Sequence, residues 1–117
     1  MRKMMVKLDN SPYPNSIWFT NSEILFNRKR TELTGSDPIL HLGPAMCSRT
    51  HDCGSMVVGV FDGQAITTVH EISHAVINVF EYVGMEVNNW TTEAFAYLHE
   101  SLCNQAIRHQ TEWHECD

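Results

Sequence analysis

Apolar residues fall in short runs through the first half of the chain and at helical spacing through the second. Residues 1 to 16 are polar and turn-rich around Pro12 and Pro14, whose fixed φ and missing N–H discourage regular structure, so an arm or capping loop is expected there. Two short apolar runs follow, Ile17-Trp18-Phe19 and Ile24-Leu25-Phe26, separated by Thr20-Asn21-Ser22-Glu23. That pattern reads as a hairpin, or as a strand followed by a second element. From Thr31 to Gly54, Gly35, Pro38, Gly43 and Pro44 interrupt scattered apolar residues such as Ile39, Leu40 and Leu42, which predicts loop with one short strand. Met56-Val57-Val58-Gly59-Val60-Phe61 is β-branched and apolar and stops at Asp62-Gly63, the pattern of a strand with a turn behind it.

Two helices should follow. The first is expected from about Gln64 to Val83, with no internal Gly or Pro, an apolar stripe at Ile66, Val69, Val76, Phe80 and Val83, and Gly84 as its stop. The second should open near Thr91 or Thr92, either of which suits an N-cap, and continue to about His109 with Ala94, Phe95, Leu98, Leu102 and Ala106 facing inward. Met85 to Trp90 is short enough to turn the chain back, so the two helices should pack as neighbours. The tail from residue 110 to 117 is polar except for Trp113. The expected fold class is α+β: one domain spanning residues 1–117, with a small antiparallel or mixed sheet packed on these helices.

Composition narrows the function classes. A chain of 117 residues holds a single core but no separate substrate domain. Its hydrophobic share of 43% and charged share of 19% are those of an ordinary globular domain. The net charge of -6 and a lone basic cluster, Arg28-Lys29-Arg30, make nucleic acid a poor partner. No apolar run suits a signal peptide or a bilayer span, so neither export by the general secretory route nor a membrane partner is expected, and the expected location is cytoplasmic. Cys47, Cys53, Cys103 and Cys116 fit free thiols in a reducing compartment better than a disulfide framework, with a Cys47–Cys53 bridge as the alternative. Seven histidines are many for this length, and their spacing decides what that means.

His70-Glu71-Ile72-Ser73-His74 is an HExxH motif inside the first predicted helix, where residues four apart stack one turn above each other. Both imidazoles then face one point, as a zinc ion requires, and a catalytic site keeps one coordination position open for water. Glu71, about 100° around the helix from His70, is placed beside that water as general base rather than as a ligand. A third protein donor is needed. Glu81 shares the helix face but lies about 10 Å along the axis from His74, too far to share one ion. Glu86 in the connecting loop is within reach but poorly oriented, and Glu93 opens the second helix, where it can be aimed across at the first.

HEISH followed by Glu93-Ala94-Phe95-Ala96-Tyr97 resembles the gluzincin metallopeptidases, and among them the small minigluzincins, in which HExxH is followed by ExxAY. The resemblance covers about Thr68 to Leu102. It implies a minimal zincin-like domain, one Zn2+ ion, hydrolysis of a peptide or protein substrate, His70, His74 and Glu93 as ligands and Glu71 as base. Similar short HExxH proteins are common among phage gene products, which would place the chain in a host cytoplasm or a virion. In zincins a strand preceding the active-site helix pairs with extended substrate, a role the resemblance assigns to Met56–Phe61.

Tyr97, one turn after Glu93, is placed either to hydrogen-bond a metal ligand or developing oxyanion, or to serve as a half-buried core tyrosine. Asn78, one turn after His74, either orients a ligand or faces solvent. Cys47, His51 and Cys53 match no standard zinc knuckle, His99, His109 and His114 are expected in solvent, and His114 to Asp117 are a candidate cap over the open metal position. Three functions therefore stand side by side. The first is a zinc peptidase; the second a non-catalytic, zinc-stabilised structural or binding protein such as a virion component; the third a hydrolase of a non-peptide amide.

Overall fold

The computed structural model of the protein describes residues 2–50 and 52–115. It is an α+β fold whose elements run β1 (Met5–Leu8), β2 (Ile17–Thr20), α1 (Glu23–Thr34), β3 (Ala45–Arg49), β4 (Met56–Val60), α2 (Ala65–Val83) and α3 (Thr92–Glu115). The strands form a mixed sheet in the order β1-β2-β4-β3. β2 and β4 are parallel, while β1 on β2 and β3 on β4 are antiparallel.

The sheet buries both faces. Ile17 and Phe19 of β2 and Met56, Val58 and Val60 of β4 pack with the inward residues of α2 and α3, including Ile72, Val76, Val79 and Leu102. On the opposite face Val57 packs with Phe26 of α1 and Leu42. All five residues of β4 are buried, which explains why its sequence is a continuous apolar run without alternation. Ser22 caps α1, its hydroxyl accepting from the Leu25 N–H, and resolves the second element after β2 as a helix rather than a hairpin partner.

Four expectations need correction. The N-terminal arm contains β1, held because Leu8 is buried, Met4 and Val6 pack on the core, and Thr20 Oγ1 and Asn21 bond the Met4 backbone. Ile66 is 78% exposed, since the buried face of α2 centres on Ile72, about 120° around the helix. The tail is not a polar extension through its apolar member: α3 continues to Glu115, and Trp113, 4% exposed, stacks on Phe19 at 5.5 Å. Finally, β4 lies between β2 and β3, so both its edges are already paired and it has none to offer a substrate. The free edge beside α2 belongs to β3. No helix among the described residues is long and apolar enough to cross a membrane.

Candidate metal centre

α2 is positioned by its apolar face on the sheet and ends at Gly84, whose φ of 74° lets its N–H turn back onto the Phe80 and Glu81 carbonyls. His70 and His74 project from the exposed side. Their ring centroids are 5.1 Å apart with planes at 71°, so the two imidazoles stand edge to face over one helical turn. Glu71 is only 8% exposed, turned from the histidines toward β3. Among the described residues no hydrogen bond or ion pair reaches its carboxylate. Its charge is felt by Cys47 on β3, whose thiol is pushed up to about 12 by burial first and by Glu71 second. Cys47 therefore stays a neutral thiol.

β3 closes this side of the helix. Asn78 Nδ2 donates to Cys47 Sγ at 3.7 Å, and Arg49 Nη1 meets Glu81 Oε2 at 2.8 Å. Asn78 thus points at the strand and not at a ligand or into solvent. On the other flank, His99 Nε2 lies 3.0 Å from Ser73 Oγ. Ser73 donates its one proton to the Val69 carbonyl at 2.9 Å, so the His99 ring acts as the donor through Nε2. His99 also stacks on Phe95. It is half-buried between the helices, contrary to the expectation of a solvent position. The signal was in the sequence: His99 stands four residues after Phe95 and three before Leu102, on the inward face of α3.

The antiparallel pairing of the helices sets which residues are level. Phe95 packs on Phe80 with centroids 5.4 Å apart, His99 meets Ser73, and Gln110 Oε1 accepts from Thr68 Oγ1 at 3.0 Å. Glu93, exposed in the first turn of α3, is therefore level with the last turn of α2, near Glu81. The axial distance of about 10 Å that removes Glu81 applies to it as well. Among the described residues no three His, Cys, Asp or Glu side chains converge to hold a metal ion. The structure sets His70 and His74 side by side, turns Glu71 on the same helix toward Cys47, and leaves Glu93 apart in the first turn of α3. Tyr97 is 68% exposed and lines a surface hollow with Ser11, Pro12 and Tyr13, on the N-terminal side of α3 rather than at the histidine pair. Glu86 is exposed in the connecting loop.

The remaining metal-friendly groups are dispersed. Cys47, Cys53 and Cys103 are free thiols. Cys53 is exposed and lowered to about 7 by hydrogen bonds with Ser55 and Thr50. His109 stacks on Trp113, and His114 is exposed beside Phe19 and Asn21. His51, Cys116 and Asp117 lie outside the described residues, and with them the reading of a Cys47–His51–Cys53 cluster and most of that of a C-terminal cap. A hollow of about 550 Å³ lined by Arg2, Lys3, Asn21, Glu23 and Phe61 among others opens at the start of α1 and contains no residue of α2.

The site defines a histidine-pair helix with a buried carboxylate in an α+β domain. Set against known protein families, curated proteins and solved structures, the chain matches none.

Proposed function

We propose that the protein is a zinc-dependent hydrolase acting on peptide bonds, with His70 and His74 as metal ligands and Glu71 as general base. The observation that carries this reading is the division of labour on one helix: two exposed imidazoles set edge to face, and Glu71, a residue only 8% exposed, about 100° around the helix from His70. Zinc, when bound, supplies a Lewis acid that acidifies water and polarises a carbonyl. Glu71 takes the proton from the attacking water and returns it to the leaving amine. In this reading an extended peptide adds to the outer edge of β3, the end strand beside α2.

The third donor comes from α3. Glu93 is the choice of the gluzincin resemblance and requires the start of α3 to move toward His74. His99 is the choice of position and requires its ring to leave Ser73. Zinc content after purification without added metal distinguishes them, since one of Glu93→Ala and His99→Ala loses the ion and the other keeps it. Hydrolysis abolished in Glu71→Gln with zinc retained is the result this mechanism requires; hydrolysis unchanged in that variant removes it.

A second reading is a non-catalytic, zinc-stabilised structural or binding protein, which complete coordination of the ion by protein groups would support. That reading expects zinc binding with no peptide hydrolysis, and it expects Glu71→Gln to leave every function intact.

A further inference from the structure

A cavity of about 200 Å³ opens between the end of β3 and the second half of α2, lined by Arg49, Thr50, Gly54, Asn78, Glu81 and Tyr82. It begins one helical turn past His74, at Asn78, and ends about 10 Å from His74, at Glu81. Its aromatic wall depends on Gly54: with φ at 68° and no side chain, this residue admits the Tyr82 ring, which a Cβ would meet at 2.7 Å. Ala45, Cys47 and Arg49 alternate onto the face of β3 that α2 covers. The Arg49 guanidinium is therefore delivered into the cavity by the same strand whose edge is free.

A carboxylate already occupies that guanidinium. Glu81 Oε2 lies 2.8 Å from Arg49 Nη1, with the Glu81 side chain 61% exposed. An ion pair this wet contributes about 0–1 kcal/mol, so a second carboxylate can displace the first. An extended peptide advances about 3.3 Å per residue. A group roughly three residues from the bond held at the histidine pair thus falls at Arg49.

We propose that this cavity is a carboxylate subsite, at which Arg49 exchanges its internal partner Glu81 for an Asp or Glu side chain, or a free C-terminus, of a bound peptide. The proposal rests on the hydrolase reading for the placement of the peptide, but the binding it describes needs no hydrolysis.

The test is calorimetric titration of the full chain, in the Glu71→Gln background, with and without zinc. Three hexapeptides serve as probes: one neutral and amidated, one amidated with a single Glu three residues from the centre, and one neutral with a free C-terminal carboxylate. At least one anionic peptide should bind about tenfold tighter than the neutral one, and comparison of the two identifies the source of the carboxylate. Glu81→Gln, which removes the internal competitor, should tighten the anionic peptide by up to about fivefold. The paired charge reversal Arg49→Glu with Glu81→Arg keeps a tie between β3 and α2 while inverting the subsite. It should lose the anionic preference and favour a Lys-containing hexapeptide. An anionic preference that survives the reversal, or equal binding of all peptides by the unreversed protein, overturns the subsite. Failure to bind zinc sinks the hydrolase reading, and leaves the zinc-free titrations to decide the subsite.

Discussion

If Glu71 is held in the protein for its chemistry, the fold should be better off without its charge. Glu71 as a residue is 8% exposed, its carboxylate lies near enough to Cys47 to raise that thiol, and it finds no hydrogen-bond partner among the described residues. Mutational data put a buried polar group lacking compensation at about 1–3 kcal/mol, and the solvent contact its oxygens keep places Glu71 at or below the lower end. Replacing it by Met, which keeps the length and removes the polarity, should recover most of that. Gln, which removes only the charge, should recover less. A domain of 60–100 residues gains roughly 4–8 °C in Tm per kcal/mol, and this somewhat larger one slightly less. The assay is urea and thermal unfolding of wild type, Glu71→Gln and Glu71→Met in chelator, because bound metal adds stability by mass action and would mask the comparison. The expected order is Met above Gln above wild type. Loss of stability in both variants would refute the reasoning, because it would make Glu71 a structural carboxylate with a native partner.

Trp113→Ala should cost about 3–5 kcal/mol by urea unfolding, since the indole is buried against Phe19, whereas Trp90→Ala, at 92% exposure, should stay within about 0.5 kcal/mol. Truncation after Gln110 should accordingly unfold the domain, and a truncated chain with native stability would show that Trp113 does not pack as described. Alkylation by iodoacetamide followed by mass spectrometry should modify Cys53 with a rate that rises through about pH 7, as its thiolate forms, while Cys47, pushed up to about 12, stays protected until the protein unfolds. Reaction of both thiols at the same rate in folded protein would contradict these environments. Substituting His70 or His74 by Ala should abolish stoichiometric zinc, measured by elemental analysis; zinc kept by both variants would move the metal site elsewhere.

The helices that carry the chemistry were legible because their signals are local. HExxH places two imidazoles on one face by helix geometry alone, and Gly84 marks the stop of α2 to the residue. β4 was legible for the same reason, as a β-branched run ended by Asp62-Gly63. β1 was not, because Met5–Leu8 is only four residues long, broken by Lys7 and followed by a polar turn, and becomes a strand through pairing with β2. α3 was read six residues short, to His109 instead of Glu115, because a polar tail with one tryptophan shows no period until Phe19 provides something for Trp113 to cover.

The site divides along the same line. Sequence by itself determined that His70 and His74 share one side of a helix and that Glu71 lies about 100° around it from His70, since periodicity fixes their relative angles. It could not determine which residue of α3 is level with them, because that depends on how two helices slide along each other. Packing of Phe80 on Phe95 and Ser73 on His99 decides that register, and it sets His99 level with the HExxH turn and Glu93 with the last turn of α2. Nor could sequence tell which strand lies at the edge. That is a property of sheet order, β1-β2-β4-β3, in which chain neighbours β3 and β4 pair antiparallel and leave β3, with Arg49 at its end, open beside the helix.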